Sequence, residues 1–381
     1  MDRSSFHFFI VFFGVFSLMA LSNAIVPVLP NLNVPLDMQA FIFSLYFLGA
    51  MVSTLPGGII SDRIGQIPVI GVGLIITLVS GTLLLMGIDP VLVLISRFIE
   101  GIGAGLFVAA GLSWINNQGT QNRLSGIFMA LLNLGLLAGM VFGGWIAGYT
   151  GTINGGILLF TGLTLFPFAA FLLQIFTFDR KNTVDHILSM ERRQLPVLSE
   201  LVREVTGMVV RQAPLWYSVI ILLGITGFVQ ALYPDLSGLS PLNIGVALAI
   251  MNLATIIASL GATWIRVEPV LLIRISAILM GGLVLIFVQY PISIFLMGFA
   301  AGLIMISQIN YLASAEEHQG MAMGLFSTSS YAGMTLLPAI GGYITGLTNI
   351  GIAAVIVAFL AIICAITIGR CKCRNFLIPF E

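Results

Sequence analysis

The sequence predicts an all-α membrane protein of twelve transmembrane helices, arranged as two pseudo-symmetric six-helix bundles. Three observations predict it. Over 381 residues the chain is 59% apolar and only 8% charged, with a mean hydropathy of +1.10. A soluble domain carries about 25% charged residues, so lipid must be the main solvent. Apolar runs of span length recur from one end to the other, with one long polar interruption. The segments before and after that interruption also repeat each other.

The runs divide at polar, Gly or Pro punctuation, given about 20 apolar residues per span. The first run, from Phe6, is longer than a signal-peptide core and reads as an uncleaved span over 6–29. Spans two to six fall at 39–60, 67–87, 91–115, 125–148 and 154–177. The second six fall at 214–233, 242–265, 270–288, 292–312, 321–346 and 350–369, with Tyr290-Pro291 dividing the ninth from the tenth. The chain therefore parses as an N-terminal bundle (1–177), a linker (178–213), a C-terminal bundle (214–369) and a tail (370–381). Within the linker, Leu198, Leu201, Val202, Val205, Val209 and Val210 recur at helical spacing. That pattern suits either an amphipathic helix on the membrane surface or a solvated connecting helix.

Basic residues set the orientation. With twelve spans, all of the fifteen Lys and Arg except Arg97 fall on one side. The opposite connections carry Asp37, Asp89 and Asp235 and no basic residue. The expectation is a multi-pass protein of the plasma membrane with both termini cytoplasmic. A net charge of zero gives no footprint for nucleic acid, and none is expected as a partner.

The repeat is visible in two windows. Phe98, Gly101, Ala104, Gly105 and Leu106 match Phe295, Gly298, Ala301, Gly302 and Leu303 at an offset of 197. Gly126, Phe128, Gly135, Gly143, Gly144 and Gly148 match Gly324, Phe326, Gly333, Gly341, Gly342 and Gly346 at an offset of 198. Duplicated halves are the architecture of many secondary transporters, which rock about a site near the midplane. Gly is abundant at 42 residues, which suits close helix approach in lipid.

Four motifs carry a family resemblance. The loop after span two, Gly58-Ile-Ile-Ser-Asp62-Arg63-Ile-Gly65, implies a tight turn at Gly65, a close helix contact at Gly58 and a carboxylate placed to meet a helix start or an arginine. It resembles the G-x-x-x-D-R-x-G loop of the major facilitator superfamily, without that loop's usual basic pair. Arg97-Phe-Ile-Glu100-Gly101-Ile-Gly103 resembles the family's fourth-helix R-x-x-Q-G-x-G, with Glu100 at the glutamine position. Gly135, Gly139, Gly143 and Gly144 fit the fifth-helix antiporter motif, with Met140 where proline belongs. Pro27-Val-Leu-Pro30 closes span one as in many drug-efflux members. The resemblance implies a twelve-span drug/proton antiporter that moves a small, amphiphilic or drug-like solute by alternating access. An uncoupled facilitator or an importer of a sugar or organic acid is the alternative, and a non-transporting sensor a distant one.

Candidate working residues follow from charge and polarity inside the spans. Arg97 and Glu100 lie one turn apart on one face of span four. A charge at the bilayer centre costs roughly 2.5–3.5 kcal/mol, so the two form either a proton relay or a static intramembrane ion pair. The resemblance gives Gly58, Asp62, Arg63 and Gly65 a gating role, with Asp62 meeting the start of span eleven near Met321 and Arg63 meeting Glu316 or Glu317. Polar cavity candidates are Asn23, Tyr46, Asn133, Gln230, Asn252, Gln308, Asn310 and Tyr331. Inter-helix glue, at about 0.6 kcal/mol each, is the equal alternative for all of them. His7, His186 and His318 are scattered, and Cys371 and Cys373 have no nearby His, so no metal is expected. No G-x-x-x-x-G-K-[ST] loop appears, so ATP is not a direct driver. No cofactor and no enzymatic activity are expected. The expected partners are a small-molecule substrate, protons and the lipid bilayer, for a chain that works as a monomer.

Overall fold

A chain immersed in lipid must satisfy its backbone N–H and C=O groups internally, which leaves helices or closed barrels. The computed structural model, which describes residues 3–87, 89–116, 118, 121–178, 198–262, 267–315 and 319–368, takes the helical solution. The first half comprises α1 (Arg3–Ala24), a 3-10 segment (Val26–Leu32), α2 (Leu36–Ile64), α3 (Gln66–Met86), α4 (Pro90–Asn116), α5 (Gln121–Thr150) and α6 (Asn154–Phe178). A short helix α7 (Leu198–Arg211) precedes α8 (Ala213–Leu236), α9 (Pro241–Ala262), α10 (Pro269–Leu283), α11 (Ile292–Ala315), α12 (Gln319–Leu347) and α13 (Ile350–Thr367). Among the described residues, ten helices are long and apolar enough to cross a membrane.

The departures from twelve uniform spans have local causes. Span one is not one helix: Pro27 and Pro30 withdraw two backbone donors, and the chain continues past Ala24 as the 3-10 segment. α10 has only 15 residues, and residues 284–289 continue it as turns. α12 is long enough but carries Ser327, Thr328, Ser329, Ser330, Tyr331 and Thr335. Most of these hydroxyls return to the carbonyl four residues back, as Thr328 does to Gly324 O at 2.9 Å. Such self-satisfied hydroxyls let a helix be polar inside a bilayer.

Helices of each half pack mainly on their own half. α2 lies on α4, α3 on α4 and α1 on both α5 and α6; likewise α8 lies on α12, α9 on α11 and α10 on both α11 and α13. Two seams join the halves, α2 against α12 and α5 against α9. Glycines allow the close crossings. A Cβ at Gly101 would overlap the Tyr46 carbonyl on α2, and its counterpart Gly298 would overlap the Met251 carbonyl on α9. The sequence repeat is thus a repeat of contacts. Outward-facing residues such as Val79, Leu158, Phe166, Ile278 and Phe359 are exposed and apolar, as a lipid-facing surface requires.

α7 is helical as its spacing implies, but it faces differently. Val210 is 72% exposed, whereas Met208 is buried and its carbonyl accepts a bond from Trp216 Nε1 at 3.2 Å. The linker residues before α7, and with them His186, lie outside the described residues, as do Cys371, Cys373, His318, Glu316 and Glu317. Among the described residues no group of His, Cys, Asp or Glu could hold a metal ion.

Candidate functional site

The two seams do not run parallel. The bundle has a Pro30 end, at the connection between α1 and α2, and a Gly65 end, at the turn between α2 and α3. On the α5–α9 seam near the Pro30 end, a Cβ at Gly144 would overlap the Pro241 carbonyl, and one at Gly245 would overlap the Met140 carbonyl. Further along, Asn252 Nδ2 reaches Met140 Sδ at 3.3 Å. Near the Gly65 end, a Cβ at Gly126, on the same face of α5 as Gly144, would meet nothing within 4 Å.

The α2–α12 seam follows the same gradient. Gly342 sits against Ala40, the Phe47 and Tyr331 rings meet at 6.2 Å, and Gly324 finds only Leu55 Cδ1 at 4.0 Å from a built Cβ. Both seams are close-packed at the Pro30 end and looser toward the Gly65 end, leaving a crevice between the halves. A side-chain latch adds to the closed end. Gln39, 1% exposed, donates Nε2 to Asp235 Oδ1 at 2.8 Å and to Val34 O at 3.0 Å, tying α2 to the end of α8. Sequence reasoning passed over Gln39, whose signal is an amide at the mouth of an apolar helix, two residues after Asp37.

The antiporter-like glycines divide their labour. Gly135, Gly139 and Gly143 accommodate the carbonyls of Phe16, Ala20 and Ala24 on α1, within one half, while Gly144 faces α9 across the seam. The second half repeats this: Gly333 accommodates the Ile220 carbonyl on α8 and Gly342 crosses to α2.

Arg97 and Glu100 lie inside the first half, joined at 2.5 Å and only 1% and 0% exposed. The Tyr46 ring stacks over the guanidinium, 4.6 Å from its centroid to Cζ. Tyr46 Oη reaches Met19 Sδ at 3.9 Å and lies within hydrogen-bonding reach of the Ser22 side chain. Arg97 Nε and Glu100 Oε1 are buried with no hydrogen-bond partner. Their counterparts in the second half, Ile294 and Met297, are buried and apolar, so the charge pair breaks the pseudo-symmetry. Tyr46 belongs to α2, whose next residue, Phe47, meets Tyr331 across the seam.

The Gly65 turn is as tight as the sequence implies, with φ +93°. Gly58, however, has nothing within 4 Å of a built Cβ, so the close helix contact expected there is replaced by open space at the splayed end. Asp62 accepts from Ser113 Oγ at 3.0 Å, on α4 of its own half, rather than from the start of α12. Arg63 is exposed, and its expected partners lie outside the described residues.

The polar candidates scatter over both halves. Asn23 reaches Leu136 O at 3.4 Å, and Asn133, on the crevice side of α5, bonds Met129 O at 2.8 Å. Gln308 donates to Ser218 Oγ at 3.1 Å inside the second half. Gln230 is buried in α8, and Asn310 sits two residues before the end of α11's described side chains.

The family model of the Major Facilitator Superfamily matches residues 8–315. The chain belongs to that superfamily. It is a multi-pass membrane transporter and not an enzyme. The quinolone resistance protein NorA of Staphylococcus aureus is 25% identical over 146 residues, which are 36% of this chain and 38% of that protein. The matched stretch thus spans little more than a third of that relative. Two solved structures share the fold at low identity. The nucleoside transporter NupG superposes with a TM-score of 0.75 at 13% identity, covering 96% of this chain and 99% of that one. The peptide transporter POT superposes with a TM-score of 0.74 at 14% identity, covering 97% of each.

Proposed function

We propose that this superfamily member is a proton-coupled exporter of small amphiphilic or drug-like solutes, with residues 1–177 and 214–369 as its two rocking units. The residues between and beyond them, 178–213 and 370–381, serve as linker and tail. The Gly65 end, with both termini, faces the cytoplasm, as the basic residues on that side favour. The splayed seams then correspond to an inward-facing state of a plasma-membrane protein that works as a monomer.

One observation carries the coupling: the sealed Arg97–Glu100 pair lies under Tyr46, on the helix that forms the α2–α12 seam. When Glu100 takes a proton, Arg97 is left uncompensated in an apolar surrounding, a state the protein relieves by moving the groups around it. Tyr46 and Phe47 pass that change to Tyr331, and so to the seam whose opening alternates access. The similarity to NorA, a drug-resistance protein by name, supports the efflux direction.

The test is proton-driven flux of amphiphilic compounds by the purified chain in liposomes. Glu100→Gln should fold and bind solute but lose the response to an imposed proton gradient. A gradient response equal to that of the parent chain would refute the relay. The pair's complete burial also suits a second reading, an uncoupled facilitator with a static ion pair. That reading expects downhill flux indifferent to pH in both proteins.

A further inference from the structure

The walls of the crevice carry polar groups whose hydrogen-bond donors are already committed. On α9, Asn252, only 9% exposed where the seam begins to open, donates Nδ2 to Leu248 O at 3.0 Å and also reaches Met140 Sδ. Asn133 lies two turns before Met140, on the same face of α5, and donates Nδ2 to Met129 O at 2.8 Å. On α12, Ser327 and Thr328 lie one turn before Tyr331, the residue that meets Phe47 across the seam. Their hydroxyls donate to Met323 O at 3.1 Å and Gly324 O at 2.9 Å.

A hydroxyl has one proton and two lone pairs, and an amide oxygen has lone pairs only. Once these donors are spent on their own helices, Ser327 and Thr328 can only accept. Asn252 is left with its oxygen, and Asn133 keeps one N–H against an oxygen that accepts twice. Tyr331 can act either way. Arg97, buried within a span of the first half, is sealed in its pair and presents nothing to the crevice. These four residues therefore offer oxygen acceptors, with few donors to give.

We propose that the crevice recognises an apolar molecule through the hydrogen bonds its polar end donates, an N–H or O–H group, and not through its charge. An acceptor-only end such as a carboxylate would give up its water and find few donors. The penalty for an unmet buried acceptor corresponds to roughly tenfold or more in affinity. This inference names the solute class of the proposed exporter, and it rests on the crevice being where solute binds, not on proton coupling.

The experiment is equilibrium binding of four dansyl compounds to the purified full chain in lipid nanodiscs, read by dansyl fluorescence. The compounds share one scaffold and end in a primary ammonium, a hydroxyl, a trimethylammonium or a carboxylate. The ammonium and hydroxyl compounds should bind about tenfold or more tighter than the other two. Trimethylammonium binding equal to ammonium with hydroxyl weak would mean charge recognition and overturn the proposal, as would a preference for carboxylate or no binding by any of the four. The double variant Ser327→Ala, Thr328→Val keeps size and helix while removing acceptors. It should weaken the hydroxyl compound several-fold and narrow its lead over the carboxylate; an unchanged ratio overturns the assignment to these walls. A binding order as expected, with flux that ignores proton gradients, would sink proton coupling while leaving this inference standing.

Discussion

Glu100→Leu should destabilise the protein by about 3–5 kcal/mol, because it leaves Arg97 charged, 1% exposed and without its counter-ion. Two independent routes give the same size. Charges about 4 Å apart at an effective dielectric of about 20 attract by ~4 kcal/mol. A lone Arg at a helix centre costs roughly 2.5–3.5 kcal/mol on insertion scales. Tyr46 cannot make up the loss, since a desolvated cation–π contact contributes about 2 kcal/mol and is already present. Arg97→Met should cost less, because an unpaired carboxyl can take a proton and become neutral. The double variant should recover most of the loss, as buried ion pairs replaced by apolar groups of similar volume often do. Reversible unfolding in mixed micelles gives the four free energies and their coupling, expected at 2 kcal/mol or more, in the upper part of the range for contacting residues. Costs that simply add, with coupling under about 0.5 kcal/mol, would refute the picture of two charges compensating each other in an apolar interior. The same double variant separates structure from transport. Folded and solute-binding but blind to a proton gradient is the expected result, and retained proton-driven flux would remove the pair from the mechanism.

Other consequences can be checked at single positions. Gly144→Val should prevent closure of the α5–α9 seam at the Pro30 end, because its side chain would enter the Pro241 carbonyl. Cysteine labelling from that side should rise, while Gly126→Val, at the open end, should leave labelling unchanged. Gln39→Leu removes a hydrogen bond to a charged group, worth about 1.5–3 kcal/mol. It should shift the population toward opening at the Pro30 end, seen as longer distances between spin labels on α2 and α8. Gly65→Ala forces a side chain into φ +93° and ψ 152°, a region that costs about 1–3 kcal/mol; thermal unfolding should fall accordingly, with solute affinity retained.

Hydropathy and glycine spacing made the fold legible because lipid enforces both: long apolar helices for backbone satisfaction and small residues where helices cross. The offset pairing of Gly101 with Gly298, and of Gly144 with Gly342, returns in the structure as equivalent contacts. The break at Pro27 and Pro30 was hidden because the 3-10 segment is as apolar as the helix before it. Within the site, Arg97 and Glu100 stood out because charge is rare in a span and their spacing put them on one face. Gln39 and Asp235 did not, since 196 residues separate them and neither lies in a repeated motif. Gly58 misled, because a family motif does not say in which conformational state its close contact forms.

The position of the counter-ion bears on how the chain is made. Arg97 finds its partner one turn along its own helix, not on another span. As α4 leaves the ribosome it can pass into the bilayer as a neutral unit, before any later helix exists to shield it. Had the carboxylate stood on α8 or α11, the nascent chain would have held a bare guanidinium in lipid, or kept α4 waiting in the translocon, through the synthesis of half the protein. An i,i+3 pair lets the first bundle assemble in order of synthesis, and it gives Glu100 a place in biogenesis apart from the transport role proposed for it.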